Sequence, residues 1–377
     1  MKQLILLLSA IVLLFASCRE DEVIFPSHAT AVTEPELDGE IEGFYLLNEG
    51  NMGMNRASID FFNSRQGTYT VDIYSERNPT VVKELGDVGN DLKIYGDKLW
   101  AVINCSNKIE VMNKWTAQRV ATIEVPNCRY LAFHDGKAYI SSYAGPVSID
   151  PDADQGFVAE IDTRTFQITR KVQVGYQPEE MIIHNGKLYV ANSGGYRVPN
   201  YDRTISVIDL ASFTEIKKID VAINLHRMAI DSRGDIYVSS RGDHRKVPAS
   251  LHVIDSNTDD VKQHLDIPVS EMCMVGDSLY YYSVGWSDIT QTNNVTYGIL
   301  DTRDKTVISD KIITDGSDSN IMIPYGLAVH PETKDIYITD AQNYIVTGLI
   351  YCFDKEGKLK WRTTAGNIPS NIAFVYR

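Results

Sequence analysis

The chain has 377 residues, 50 acidic against 36 basic side chains and a net charge of −14. Without basic runs or interleaved basic and aromatic stripes, such a balance argues against nucleic acid as a partner. Its length would suit two ordinary domains, but radial repeats build single domains of this size.

Lys2 is followed by an apolar run from Leu4 to Ala16 and then Ser17 and Cys18. The run is too short to span a bilayer and has the flanks of a secretory signal over 1–17. LFASC (14–18) resembles a bacterial lipoprotein box, which implies acylation at Cys18. REDE (19–22) resembles the acidic tag that sends Bacteroidetes lipoproteins to the outer face of the outer membrane. Residues 18–40 are acidic and poor in apolar side chains, and read as a flexible tether from the acylated Cys.

From residue 41 to 377 two phrases alternate seven times. One is an apolar strand after a turn: GFYLLN (43–48), GDKLWAVIN (96–104), GKAYISS (136–142), GKLYVAN (186–192), GDIYVSS (234–240), GDSLYYYS (276–283) and KDIYITD (334–340). The other is a strand closing on Asn63, Asn113, Asp162, Asp209, Asp255, Asp301 or Asp354, at intervals of 50, 49, 47, 46, 46 and 53 residues. That period, with several short strands per unit, predicts an all-β seven-bladed β-propeller with four antiparallel strands per blade. PSNIAFVYR (369–377) reads like the first strand of a unit, and no such strand precedes GFYLLN (43–48). The C-terminal strand is therefore expected to pair with the N-terminal blade and close the ring.

Hairpins such as HDGK (134–137) and HNGK (184–187) would mark one face. The other would collect the loops after each second strand and the loops leading into each blade, which are long, polar and aromatic. Candidate ligand contacts there are Asn51, Asn104, Arg129, Tyr143, Tyr176, Tyr196, Arg227, Arg245, Trp286, Tyr325 and Tyr344. Catalysis has less support. His134, His184 and His330 read as turn residues, and His252 and His264 lie in strands. His226 and His244 alone fall in loops of the polar face, too few for a catalytic metal shell. Glu49, Asp243, Glu271 and Asp340 leave paired-carboxylate chemistry open. Asp150, Asp152 and Asp154 alternate as in calcium loops, but Gln155 takes the usual glycine position, so a solvated loop tip is the favoured reading. Cys105 and Cys128 fall near loops of neighbouring blades, where a disulfide is open to an exported chain.

LYVANSGG (188–195) with TISVID (204–209) resembles the YVTN or YncE-like propellers over nearly all of 43–377. With the lipoprotein box and acidic tag, the chain is similar to Bacteroidetes surface lipoproteins of the BtuG type, which capture vitamin B12. The resemblance implies a non-enzymatic, lipid-anchored protein on the extracellular side of the outer membrane. It would bind cobalamin as ligand, without a required cofactor, and pass it to a BtuB-like TonB-dependent transporter. It would touch the membrane only through its anchor. A glycan or haem as cargo, or a propeller lyase or lactonase, are the alternatives.

Overall fold

The computed structural model describes residues 28–82, 84–287 and 292–377. The leader, Cys18 and the acidic residues 19–22 lie outside these, as does the side chain of Trp286. Seven antiparallel sheets are arranged as the blades of a propeller, six with four strands and one with five. In the first, Pro369–Tyr376 is the innermost strand and pairs with Ile41–Asn48 from Ile41↔Tyr376 to Asn48↔Pro369. Ring closure by the C-terminal strand is thus as the sequence predicted.

The fifth strand lies within the segment expected as a tether. Ala29–Ala31 pairs with Thr68–Thr70 and adds an outer strand to the first blade. The Arg65 guanidinium donates to the carbonyls of Glu36, Leu37 and Gly39, holding the following segment against the blade. Backbone pairing and one arginine achieve this with almost no apolar burial, so hydropathy gave no sign of it.

The repeated phrases have separate physical jobs. The second strand of each blade is covered on both sides, so it reads as a continuous apolar run rather than an alternating one. In Lys98–Ile103, the alternate residues Leu99, Ala101 and Ile103 pack with the first blade, whereas Trp100 and Val102 pack with the third. The same division recurs around the ring. The buried apolar side chains form seven clusters, each shared by two neighbouring blades. Stability is therefore spread over seven blade-to-blade interfaces with no common centre.

The closing Asn or Asp of the third strand is a turn-former. The Oδ1 atoms of Asn113, Asp162, Asp209, Asp255, Asp301 and Asp354 each accept a backbone N–H two or three residues on, and Asn63 does the same for Gln66. At the inner hairpins, Asp135 and Asn185 sit at φ 46° and 48°, each followed by a glycine at φ 73°, as two-residue hairpin turns require. Both kinds of turn lie on one face, which leaves the longer loops to the other.

Ring closure carries the first prediction. A chain ending at residue 368 would leave Ile41–Asn48 without its inner partner. It is expected to lose its sharp thermal transition and to self-associate. An unchanged midpoint and a monomeric elution volume would contradict the closure argument.

Candidate functional site

At the loop face, the first residues of the seven inner strands converge on the ring axis. They carry an unusual density of buried charge. Glu179, wholly buried, accepts from Arg129 Nη2 at 3.1 Å and Arg241 Nη2 at 3.1 Å, from Tyr143 Oη at 2.6 Å and from Ser193 Oγ at 3.2 Å. These partners come from the third, fourth and fifth blades, so one carboxylate ties three blades together. Burial alone would raise its pKa, but the two guanidinium groups outweigh this and hold it below the ordinary glutamate range.

A second knot lies beside it. Arg227 Nη1 donates to Glu180 Oε1 at 2.9 Å and to Tyr130 Oη at 3.0 Å, and Nη2 meets Glu271 Oε2 at 2.7 Å. Burial lifts the Glu271 carboxyl to about 7, with Glu180 reinforcing the rise and Arg227 opposing it. Tyr130 Oη also lies 3.2 Å from His226 Nε2. Burial and the neighbouring arginines keep His226 neutral, well below its usual range. Across the axis, Glu49 accepts from Tyr325 Oη at 2.8 Å, and burial pushes its carboxyl up to about 7.

Placement divides the sequence-predicted residues into two groups. Asn104 is buried and donates its amide to the Cys128 carbonyl at 2.8 Å. Tyr143 is buried on Glu179, Arg129 and Arg227 are locked in ion pairs, and Tyr325 holds Glu49. These five build the floor of the face. Tyr196, Tyr344 and Arg245 stand exposed on loops, and Tyr176 stacks under the Arg197 guanidinium at 3.6 Å. Asn51 fastens one loop to another by donating to the Tyr344 carbonyl at 2.6 Å.

Around this charged floor the loops present large apolar side chains to solvent. Met52, Met54, Met322, Ile345, Tyr196 and Tyr344 are all exposed. They come from the first, fourth and seventh blades, and the methionines and Ile345 were not among the expected contacts, which were aromatic, amide and guanidinium groups. Glu179, Glu180, Tyr130 and Arg241 were also missed. For Glu179, Glu180 and Tyr130 the signal was the position just after a loop leading into a blade, where the inner strands begin, whereas Arg241 directly follows the second strand Asp235–Ser240 of its blade.

Other expectations fall differently. Asp243 Oδ1 accepts the backbone N–H of Arg245, Lys246 and Val247, and Asp340 accepts those of Met322 and Ile323. Both are loop-shaping groups, which removes two of the four candidate carboxylates. Asp150, Asp152 and Asp154 are exposed, and Asp150 spends Oδ1 on the Asp152 N–H. Among the described residues no three His, Cys, Asp or Glu side chains are grouped to hold a metal ion, so the calcium reading has no geometric support. Cys105 and Cys128 are free thiols. Among the described residues no helix is long and apolar enough to cross a membrane.

A seven-bladed propeller with a charged floor and an apolar-rimmed loop face is a scaffold class shared by many binding proteins and some enzymes. This chain belongs to the family described as domain of unknown function DUF5074, which matches residues 42–368. No curated protein matches it. Among solved structures it is similar to a quinonprotein alcohol dehydrogenase-like protein from Bacteroides thetaiotaomicron, with a TM-score of 0.61 at 15% identity over 90% of this chain and 79% of that one. It is also similar to hydrazine synthase from Kuenenia stuttgartiensis, with a TM-score of 0.57 at 15% identity over 71% of this chain and 77% of that one. At such identity the likeness concerns the fold.

Two predictions follow from the floor. Glu179→Ala leaves the largely buried Arg129 and the half-buried Arg241 without their carboxylate and is expected to cost about 3 kcal/mol in urea unfolding; a loss below about 1 kcal/mol would remove Glu179 from its role as blade tie. Glu49 is lifted from 4.5 to about 7, so the folded chain keeps a proton that the unfolded chain releases near 4.5. Its contribution is complete below about pH 4.5 and is lost as pH rises through about 7. Relative to Glu49→Gln, the parent chain should therefore lose thermal stability between pH 5 and pH 8. Parallel midpoints across that range would contradict the assignment.

Proposed function

We propose that this protein is a cell-surface lipoprotein that captures cobalamin on the loop face and delivers it to a TonB-dependent outer-membrane transporter. The observation that carries the reading is the pairing of an exposed Met, Ile and Tyr rim with a rigid, hydrogen-bonded charged floor. Cobalamin is wide, apolar across its ring, and fringed with amides and a phosphate. Methionine and tyrosine side chains can cover such a ring, and the exposed Arg245, with the half-buried Arg197 on the neighbouring loop, can meet the phosphate. A floor already tied together by ion pairs needs little rearrangement to receive a ligand, which lowers the entropic cost of binding. The lipoprotein anchor at Cys18 and the acidic tag would keep this face outside the cell.

A second reading has one observation in its favour. Glu49 and Glu271, with carboxyls near 7, lie in the range of general acids and bases, as a propeller lyase or lactonase would use. Their existing partners, Tyr325 and Arg227, favour a structural part for both.

Calorimetric titration with cyanocobalamin, against hemin and a panel of sugars, tests the proposal. Tight one-to-one binding of cobalamin alone is expected. Tyr344→Ala, which removes an exposed ring packed edge-on against Tyr325 at 6.0 Å between centroids, should weaken it about tenfold or more. Absence of both heat and thermal shift with cobalamin would overturn the reading, and sugar or hemin binding would redirect it to another cargo.

A further inference from the structure

The fifth blade carries a histidine pair that neither the charged floor nor the loop rim uses. Its two outer strands, Ser250–Asp255 and Asp260–Leu265, are paired so that His252 stands directly opposite His264. Residues opposed in this way lie on one face of the sheet with their Cβ atoms close together. The two rings are 4.7 Å apart between centroids, and their Nδ1 atoms face each other at 3.4 Å.

The outer ring nitrogens are each engaged. His264 Nε2 lies 2.8 Å from Asp266 Oδ1, and His252 Nε2 lies 3.0 Å from Ser250 Oγ. A carboxylate only accepts, so His264 carries its proton on Nε2 and directs the Nδ1 lone pair toward His252. The serine hydroxyl can accept from His252 in the same sense, which turns both Nδ1 lone pairs inward. A separation of 3.4 Å is long for a hydrogen bond between two imidazoles. It fits two nitrogens sharing one ion, since bonds of about 2.0–2.1 Å at a tetrahedral angle place the donors about 3.4 Å apart.

We propose that His252 Nδ1 and His264 Nδ1 form a two-nitrogen clip for a divalent transition metal such as Zn²⁺, Ni²⁺ or Cu²⁺. Imidazole ligands favour these ions over Ca²⁺ or Mg²⁺, which seek oxygen. Ser250 and Asp266 are the positioning residues: each holds the far nitrogen of one ring, as outer partners of metal-bound histidines do. His252 is almost wholly buried, whereas the His264 side chain is half exposed. The ion would therefore sit at the surface, with its remaining positions open to water or to a donor from a partner molecule. It would also staple the two outer strands of the blade together.

The test uses the whole chain, without an affinity tag and stripped with chelator, titrated calorimetrically with Zn²⁺. One ion per chain is expected. His264→Gln, changing the half-exposed ring, should weaken uptake at least tenfold while leaving the metal-free thermal midpoint near that of the parent. Asp266→Asn should weaken it less. With Cu²⁺, electron paramagnetic resonance of the parent should show two nitrogen ligands, and His264→Gln should show one or none. Failure of the parent to take up metal, or equal uptake by His264→Gln, would overturn the proposal.

Discussion

The inner strands of a propeller bring seven chain segments to one axis, and whatever charge they carry there must be neutralised locally. Glu179 and Arg227 meet this constraint. The carboxylate gathers Arg129 and Arg241, while the guanidinium gathers Glu180 and Glu271. Removing either centre would strand opposite charges in a poorly solvated channel. The loops leading into the third to sixth blades end in this network, which ties the floor of the face together before any ligand arrives. A rim of exposed apolar side chains on an ion-paired floor combines contact area with little reorganisation.

Much of the architecture was legible in the sequence because the local rules repeat. An Asn or Asp that closes a strand makes the same backbone bonds in every blade. A strand that serves two cores shows the same uninterrupted apolar run. Repetition turned weak local signals into a firm count of blades. Ala29–Ala31 escaped because it is held by backbone pairing at an edge, which leaves no periodic trace.

The site was less legible, and the reason is burial. Arg129, Tyr143 and Tyr325 have the residue types of ligand contacts, and their loops suggested exposure. In the fold they begin inner strands or sit beneath neighbouring loops, where they satisfy buried carboxylates. Polar side chains near an axis serve the scaffold first. Tyr196 and Tyr344, farther along the loops, remain free to meet solvent. The same distinction separates Asp243 and Asp340, absorbed by backbone N–H groups, from Glu49 and Glu271 with their raised pKa values.

The pairing of Ile41–Asn48 with Pro369–Tyr376 also governs the order of events during synthesis. Blades two to seven can each assemble as their own four strands emerge. The first cannot, because its innermost strand is made only after all the others. Through that interval the apolar edge of Ile41–Asn48 stays unpaired, and its contacts are among the most distant in the chain. Such contacts form slowly, and an open strand edge invites pairing with other molecules. A ribosome stalled in the seventh blade would thus release a chain with five complete blades between an unfinished seventh and the adhesive edge of the first, soluble only while something else covers it.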